Sequence, residues 1–189
     1  MKFKVGVFGS SAGNTESVRS KAEDLGRVLA DQNVTVITGA CSGIPYMVAA
    51  EAYKHGCEVW GYSPEKDLPS HKAHYVDDDS SIYSKIIYTP INIPYLESKV
   101  VRYKFRNVTS TAHCDAGIIV GGRWGSMNEF TNLIDMGKVV GVLTGTGGVA
   151  DMLQSLTDRV KKEGSGKVIF NSSPKELVEQ IIDELSSKA

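Results

Sequence analysis

An excess of charge of either sign is the first thing this sequence lacks. Its 189 residues carry 21 lysines and arginines against 22 aspartates and glutamates, a net charge of −1. A surface built to hold a polyanion needs a basic excess, so this balance predicts no nucleic-acid partner. Cysteine is scarce as well: Cys41, Cys57 and Cys114 are odd in number and far apart. That pattern makes neither a disulfide frame nor a zinc site, and the three are expected as reduced thiols of a cytoplasmic protein. No apolar run is long enough to span a membrane, so no membrane partner is expected. The first apolar run, Val5-Gly6-Val7-Phe8-Gly9, is too short for a signal-peptide core and leads into a turn. His71 and His74 have ligand-like spacing beside Asp77-Asp78-Asp79. They lack a third ligand on regular structure, so no metal site is expected.

What the chain does have is a repeating alternation of short apolar strands, turns and helices. Strands are expected over 4–8, 34–38, 57–62, 85–88, 115–120, 139–143 and 167–170. Helices are expected over 15–31, 46–55, 96–112, 128–136, 149–162 and 175–185. Val18, Ala22, Leu25, Leu29 and Ala30 recur at helical spacing in the first. Pro174 stands at the favoured first position of the last, with Ser172 or Ser173 as its cap. Such alternation predicts an α/β fold: a Rossmann-like, doubly wound, mainly parallel sheet flanked by helices, in a single domain. Residues 63–81, with Pro64, Pro69, both histidines and the aspartates, show no periodicity and are expected as a long, mobile loop near the ligand mouth.

Ligands of such sheets sit at the carboxyl ends of strands, near the point where strand order reverses. Glycine turns follow four strands here. Gly9-Ser10-Ser11 ends the first; it lacks the G-x-G-x-x-G spacing of a dinucleotide fingerprint, so classical NAD binding is not expected, nor any other cofactor. Gly39 and Gly43 flank Ser42 after the second, and Gly145-Thr146-Gly147-Gly148 follows the sixth. The most telling turn is Val120-Gly121-Gly122-Arg123-Trp124-Gly125-Ser126-Met127-Asn128-Glu129. Glycine allows close backbone approach, and the N–H groups of a helix start face an anion. Gly121, Gly122, Gly125 and Ser126 are therefore candidates for a phosphate cradle. Glu129 would repel phosphate and must serve something else, such as a sugar hydroxyl or a developing positive charge. On the preceding helix Arg102 and Arg106 share a face, and a guanidinium there can pair with phosphate.

In the order of these elements the chain resembles the Lonely Guy (LOG) family. Its P-G-G-x-G-T-x-x-E signature corresponds in residue order, and loosely in spacing, to Val120 through Glu129. Its arginine-lysine pair corresponds to Arg106-Asn107, its second glycine turn to Gly39 through Gly43, and its Gly-Ser-Ser turn to Gly9-Ser10-Ser11. Val120 replaces the signature proline, Ser126 the threonine and Asn107 the lysine. The resemblance spans Lys4 to about Gly148. It implies a small-molecule nucleotide as partner and hydrolysis of the N-glycosidic bond of a nucleoside 5′-monophosphate. Glu129 would steady the oxocarbenium-like sugar and Arg106 would assist. Gly9, Ser10, Ser11, Gly39, Gly43, Gly121, Gly122, Gly125 and Ser126 would hold the substrate. It also implies a homodimer or higher homo-oligomer. A related branch carries molybdenum cofactor on the same scaffold, so a non-catalytic carrier, or a sensor of a nucleotide signal, is the alternative.

Overall fold

Seven strands lie side by side in a computed structural model that describes residues 2–11, 18–160 and 166–188. They are β1 (Lys4–Gly9), β2 (Thr35–Thr38), β3 (Glu58–Ser63), β4 (Lys85–Tyr88), β5 (Ala116–Val120), β6 (Val139–Leu143) and β7 (Val168–Asn171). Every pairing is parallel, in the order β4-β3-β2-β1-β5-β6-β7. The central strands show why. All five residues of β5 (AGIIV) and of β6 (VVGVL) are buried, as expected of parallel strands covered on both faces.

The connecting helices are α1 (Arg19–Asp31), α2 (Ile44–Lys54), α3 (Leu68–His74), α4 (Lys99–His113), α5 (Trp124–Asp135), α6 (Leu153–Arg159) and α7 (Pro174–Ser187). On one side of the sheet Leu25, Leu29, Val48, Leu177 and Ile181 of α1, α2 and α7 pack on Val5, Val7, Val36 and Ile118. On the other, Phe130, Leu133 and Leu153 of α5 and α6 meet Phe8, Ile37, Ile119 and Val142. Alternate strand residues feed the two layers. Ser173 caps α7, accepting from the Glu176 amide, with Pro174 beside it.

The chain winds outward from β1 to β4, then α4 carries it back across to β5. Strand order therefore reverses between β1 and β5, where Gly9 lies level with Val120. The turns after both strands open at the same end of the sheet.

Three expectations need correction. Residues 63–81 are not one loop: they hold α3 and a 3-10 turn at Ser80–Ile82. Asp67 caps α3 through the Ser70 amide, and the helix buries His71. Its sequence, LPSHKAH, places Leu68 and Ala73 with no helical apolar spacing, so no apolar stripe announces it. Helix α5 begins at Trp124, four residues before the expected start, because Gly125 and Ser126 need no apolar spacing to form a first turn. The expected helix over 149–162 is a 3-10 turn at Ala150–Met152 followed by α6, ending at Arg159. Residues 15–17 and 161–162 of the expected helices lie outside the described residues.

Candidate functional site

The cleft at the reversal point is shaped by four turns that prop one another. Gly43, at φ +85°, is the first point of contact: a Cβ there would collide with the Ser10 carbonyl, so only glycine lets the β2–α2 turn lie on the β1 turn. The Ile44 amide then donates to that carbonyl at 2.9 Å. After β5, Gly121 and Gly122 both take positive φ. The Gly121 amide donates to Thr146 Oγ1 at 2.8 Å and that of Gly122 to Ser10 Oγ at 3.1 Å. Their carbonyls accept from Ala150 and Val149 at 3.0 and 2.9 Å. The glycine turn after β6 is thus a brace under the turn after β5. Asp151 holds the brace by accepting the Gly145 and Gly147 amides at 2.7 and 2.9 Å.

The cavity so framed holds about 180 Å³. At roughly 15 Å³ per water position it has room for about a dozen waters, the scale of a sugar phosphate. Gly9, Ser10, Ser11, Gly39, Arg106, Gly125, Ser126 and Glu129 line it together. Gly43, Gly121 and Gly122 stand behind the wall and shape it. Helix α5 starts in the cavity without a side-chain cap, and its first-turn amides have no partner within the helix. Gly125, one residue into that helix, is exposed, and a Cβ there would meet nothing within 4 Å. Among the described residues nothing calls for glycine at that position.

Glu129 lies one helical turn beyond Gly125, on the same face, and is only 6% exposed. Burial raises its pKa to about 7, with Arg106 and Lys104 pulling it down. At neutral pH this carboxyl is poised between acid and base.

Arg106 is buried as well. Its Nη1 donates to the Gly39 carbonyl and lies 4.0 Å from Cys41 Sγ, and its guanidinium sits 5.6 Å from the Tyr103 ring centroid. A Cβ on Gly39 would land on that Nη1, so Gly39 is glycine for the sake of Arg106. Burial works against the arginine's charge, but Cys41, Glu129 and Tyr75 hold its pKa above the ordinary value. Burial likewise pushes the Cys41 thiol up. Two polar atoms beside the cavity, Arg106 Nε and Asn107 Oδ1, are buried without a hydrogen-bond partner among the described residues.

Arg102 does not join Arg106. It donates to the Pro64 and Leu96 carbonyls at 3.1 and 2.9 Å and pairs with Glu65 at 3.7 Å. There it ties α4 to the segment carrying α3. His74 pairs with the same Glu65 and lies 3.3 Å from the Tyr103 hydroxyl. Buried His71 lies 3.0 Å from Ser63 Oγ. Asp78 accepts from Ser42 Oγ at 2.7 Å, and Tyr46 Oη accepts from the Asp79 amide at 2.8 Å. Residues 63–81 are therefore fastened to both walls of the cleft. Among the described residues no group of three or more His, Cys, Asp or Glu side chains is placed to hold a metal, and the three cysteines are free and buried.

Sequence reasoning did not place Cys41, nor the α4 stripe of Val100, Tyr103, Lys104 and Asn107, on the cavity wall. The stripe has a legible signal, the i, i+3, i+4, i+7 spacing of one helical face, but no apolar periodicity to mark it.

A parallel, doubly wound sheet with glycine turns meeting where strand order reverses defines a Rossmann-like α/β protein. The chain belongs to the SLOG cluster4 family, whose model matches residues 2–178, within the superfamily that includes LOG-like proteins. No curated protein sequence matches it. Solved structures show the same fold at low identity. TM1055, a structural-genomics target, is 22% identical with a TM-score of 0.75, over 97% of this chain and 99% of its own. The molybdenum cofactor binding protein of Rippkaea orientalis is 18% identical with a TM-score of 0.68, over 98% of each chain. DNA processing protein A of Helicobacter pylori, described by its single-stranded DNA binding mode, is 18% identical with a TM-score of 0.62, over 96% of this chain and 81% of its own. The near-neutral charge predicts no nucleic-acid partner, but a protein of the same fold is described by its single-stranded DNA binding mode, so charge alone does not exclude one. Among the described residues no helix is long and apolar enough to cross a membrane.

Proposed function

We propose that the cleft binds a nucleoside 5′-monophosphate and that the protein hydrolyses its N-glycosidic bond, releasing base and ribose 5-phosphate. One observation carries the reading: an uncapped helix start and a buried carboxylate share one face of α5, a single turn apart. The helix start suits a phosphate. The carboxylate, about 5.4 Å further along the axis, falls where the sugar of the same ligand would lie. Ionised Glu129 would stabilise an oxocarbenium-like sugar or orient water. Its pKa of about 7 also suits proton transfer at neutral pH. Arg106 positions that carboxylate by its charge while Gly39 and Tyr103 fix the guanidinium. Ser10, Ser11, Ser126 and Arg123 line the phosphate end. Homodimerisation and a location in the cytoplasm belong to the same proposal.

The direct test is release of free base from AMP by the purified protein, followed by chromatography. Glu129→Gln should lower kcat by at least ~10²-fold, the scale of one lost electrostatic group. Wild-type turnover in that variant would remove Glu129 from the chemistry. A second reading, a non-catalytic carrier, is favoured by the full-length fold shared with a molybdenum cofactor binding protein. Stoichiometric retention of a phosphorylated ligand without base release would decide for it.

A further inference from the structure

Trp124 is 83% exposed, the most exposed large apolar side chain among the described residues. It is the first residue of α5, between Arg123 and Gly125, which both line the cleft. Its place at the rim of the cleft follows from helical geometry. Residue 128 lies one turn below residue 124 on the same face, and Asn128 is seated on α4: its Oδ1 accepts from Lys104 Nζ at 3.4 Å and from Asn107 Nδ2 at 3.2 Å. Helices α4 and α5 both start at the cleft end of the sheet. One turn above Lys104 on α4 stands Val100, 68% exposed and on the cleft wall. Trp124 and Val100 therefore stand at the same level of the α4–α5 seam, at the rim of the cleft; Val100 lines the cavity and Trp124 lies just outside it.

A solvated indole at the rim of the cleft leaves a large flat ring open to a ligand. The cleft itself supplies a second, independent sign of a ligand. Among the described residues, Arg106 Nε and Asn107 Oδ1, one donor and one acceptor, have no hydrogen-bond partner in side chains 7% and 3% exposed, and both residues line this cavity. Buried polar groups are almost always paired, so these two atoms call for a polar partner in the cavity. A nucleotide has what the mouth lacks, a flat π-face on which an indole stacks.

We infer that Trp124, with Val100 at the same level of the seam, is the platform on which the planar base stacks while the 5′-phosphate docks at the start of α5. This rests on the nucleotide reading of the cleft and adds which part of the ligand meets which wall. The base then lies at the mouth and the sugar inside, toward Glu129.

The probes are AMP, ribose 5-phosphate and inorganic phosphate, titrated calorimetrically and by tryptophan fluorescence. The other tryptophan, Trp60, lies under Lys85 with 4.7 Å from ammonium to ring and does not line the cleft. A Trp60→Phe variant leaves Trp124 as the sole reporter. The expected result is quenching by AMP and not by ribose 5-phosphate. In Trp124→Ala, AMP affinity should fall on the order of ten-fold, the scale of one lost stacking contact, and ribose 5-phosphate affinity should hold. Equal AMP affinity in Trp124→Ala and parent overturns the platform and leaves the nucleotide reading standing. Failure of all three probes to bind the parent overturns the nucleotide reading and the platform with it. A change in mass by light scattering in Trp124→Ala, with AMP affinity intact, assigns the exposed rim to a second copy of the chain and also overturns the platform.

Discussion

Replacing Gly39 with alanine probes the floor of the cleft most directly. The backbone tolerates it, because Gly39 is not among the residues at positive φ. The side-chain space does not: the new methyl would take the position of Arg106 Nη1. The guanidinium must move, losing its bond to the Gly39 carbonyl in a buried setting. A hydrogen bond from a charged donor is worth about 1.5–3 kcal/mol. For a domain of this size, each kcal/mol shifts Tm by about 2–4 °C, so a fall of about 3–12 °C is expected. AMP affinity should fall too, since Arg106 steadies the site. Gly125→Ala is the control with the opposite sign. Its Cβ meets nothing, and alanine is the better helix former by up to about 1 kcal/mol. Its Tm should hold or rise while AMP affinity drops, because the methyl fills the approach to the helix start. Differential scanning fluorimetry paired with calorimetric titration reads both. A Gly39→Ala protein melting within about 1 °C of the parent, with unchanged affinity, would refute the argument that Gly39 exists to seat Arg106.

Other outcomes follow from the same geometry. Glu129 has a pKa of about 7 in the folded protein against an ordinary 4.5, so the fold binds that proton more tightly than the unfolded chain does. Stability should therefore fall as pH rises from about 4.5 to about 7, by about 3 kcal/mol at most; Glu129→Gln should flatten this part of a urea-denaturation pH profile. If catalysis needs the carboxylate, kcat should rise through the same pH range, which a stopped assay of base release would show. Thr146→Val keeps the volume but strips the acceptor from the buried Gly121 amide, so a loss of about 1–3 kcal/mol is expected in chemical denaturation. Deleting residues 69–78 removes most of α3, buried His71 and the Asp78–Ser42 bond; the melting temperature should drop clearly, where a solvated loop would leave it unchanged.

Much of this molecule was legible along the chain, because parallel strands buried on both faces are written as short apolar runs and helices as spaced ones. The strands near 4–8, 115–120 and 139–143, a serine cap at Ser172 or Ser173, and the glycine turn that leads into Ser126 and Glu129 could all be read that way. So could the family resemblance, since it lies in the order of local motifs. Tertiary structure decided what depends on residues far apart in sequence. Arg106 and Gly39 meet across 67 positions, and only that contact shows that one glycine on the cavity wall makes room for an arginine. The Gly121 and Gly122 amides looked free for phosphate. Folding commits them to Thr146 and Ser10 and leaves the start of α5 as the open donor set. Arg102 and Arg106 share a helix face by spacing, yet packing sends one to Glu65 and the other to the cleft floor. Helix α3 was hidden for a related reason: a short helix that buries a histidine instead of a leucine has no apolar stripe to read, and its partners on β3 and α4 lie outside the local sequence.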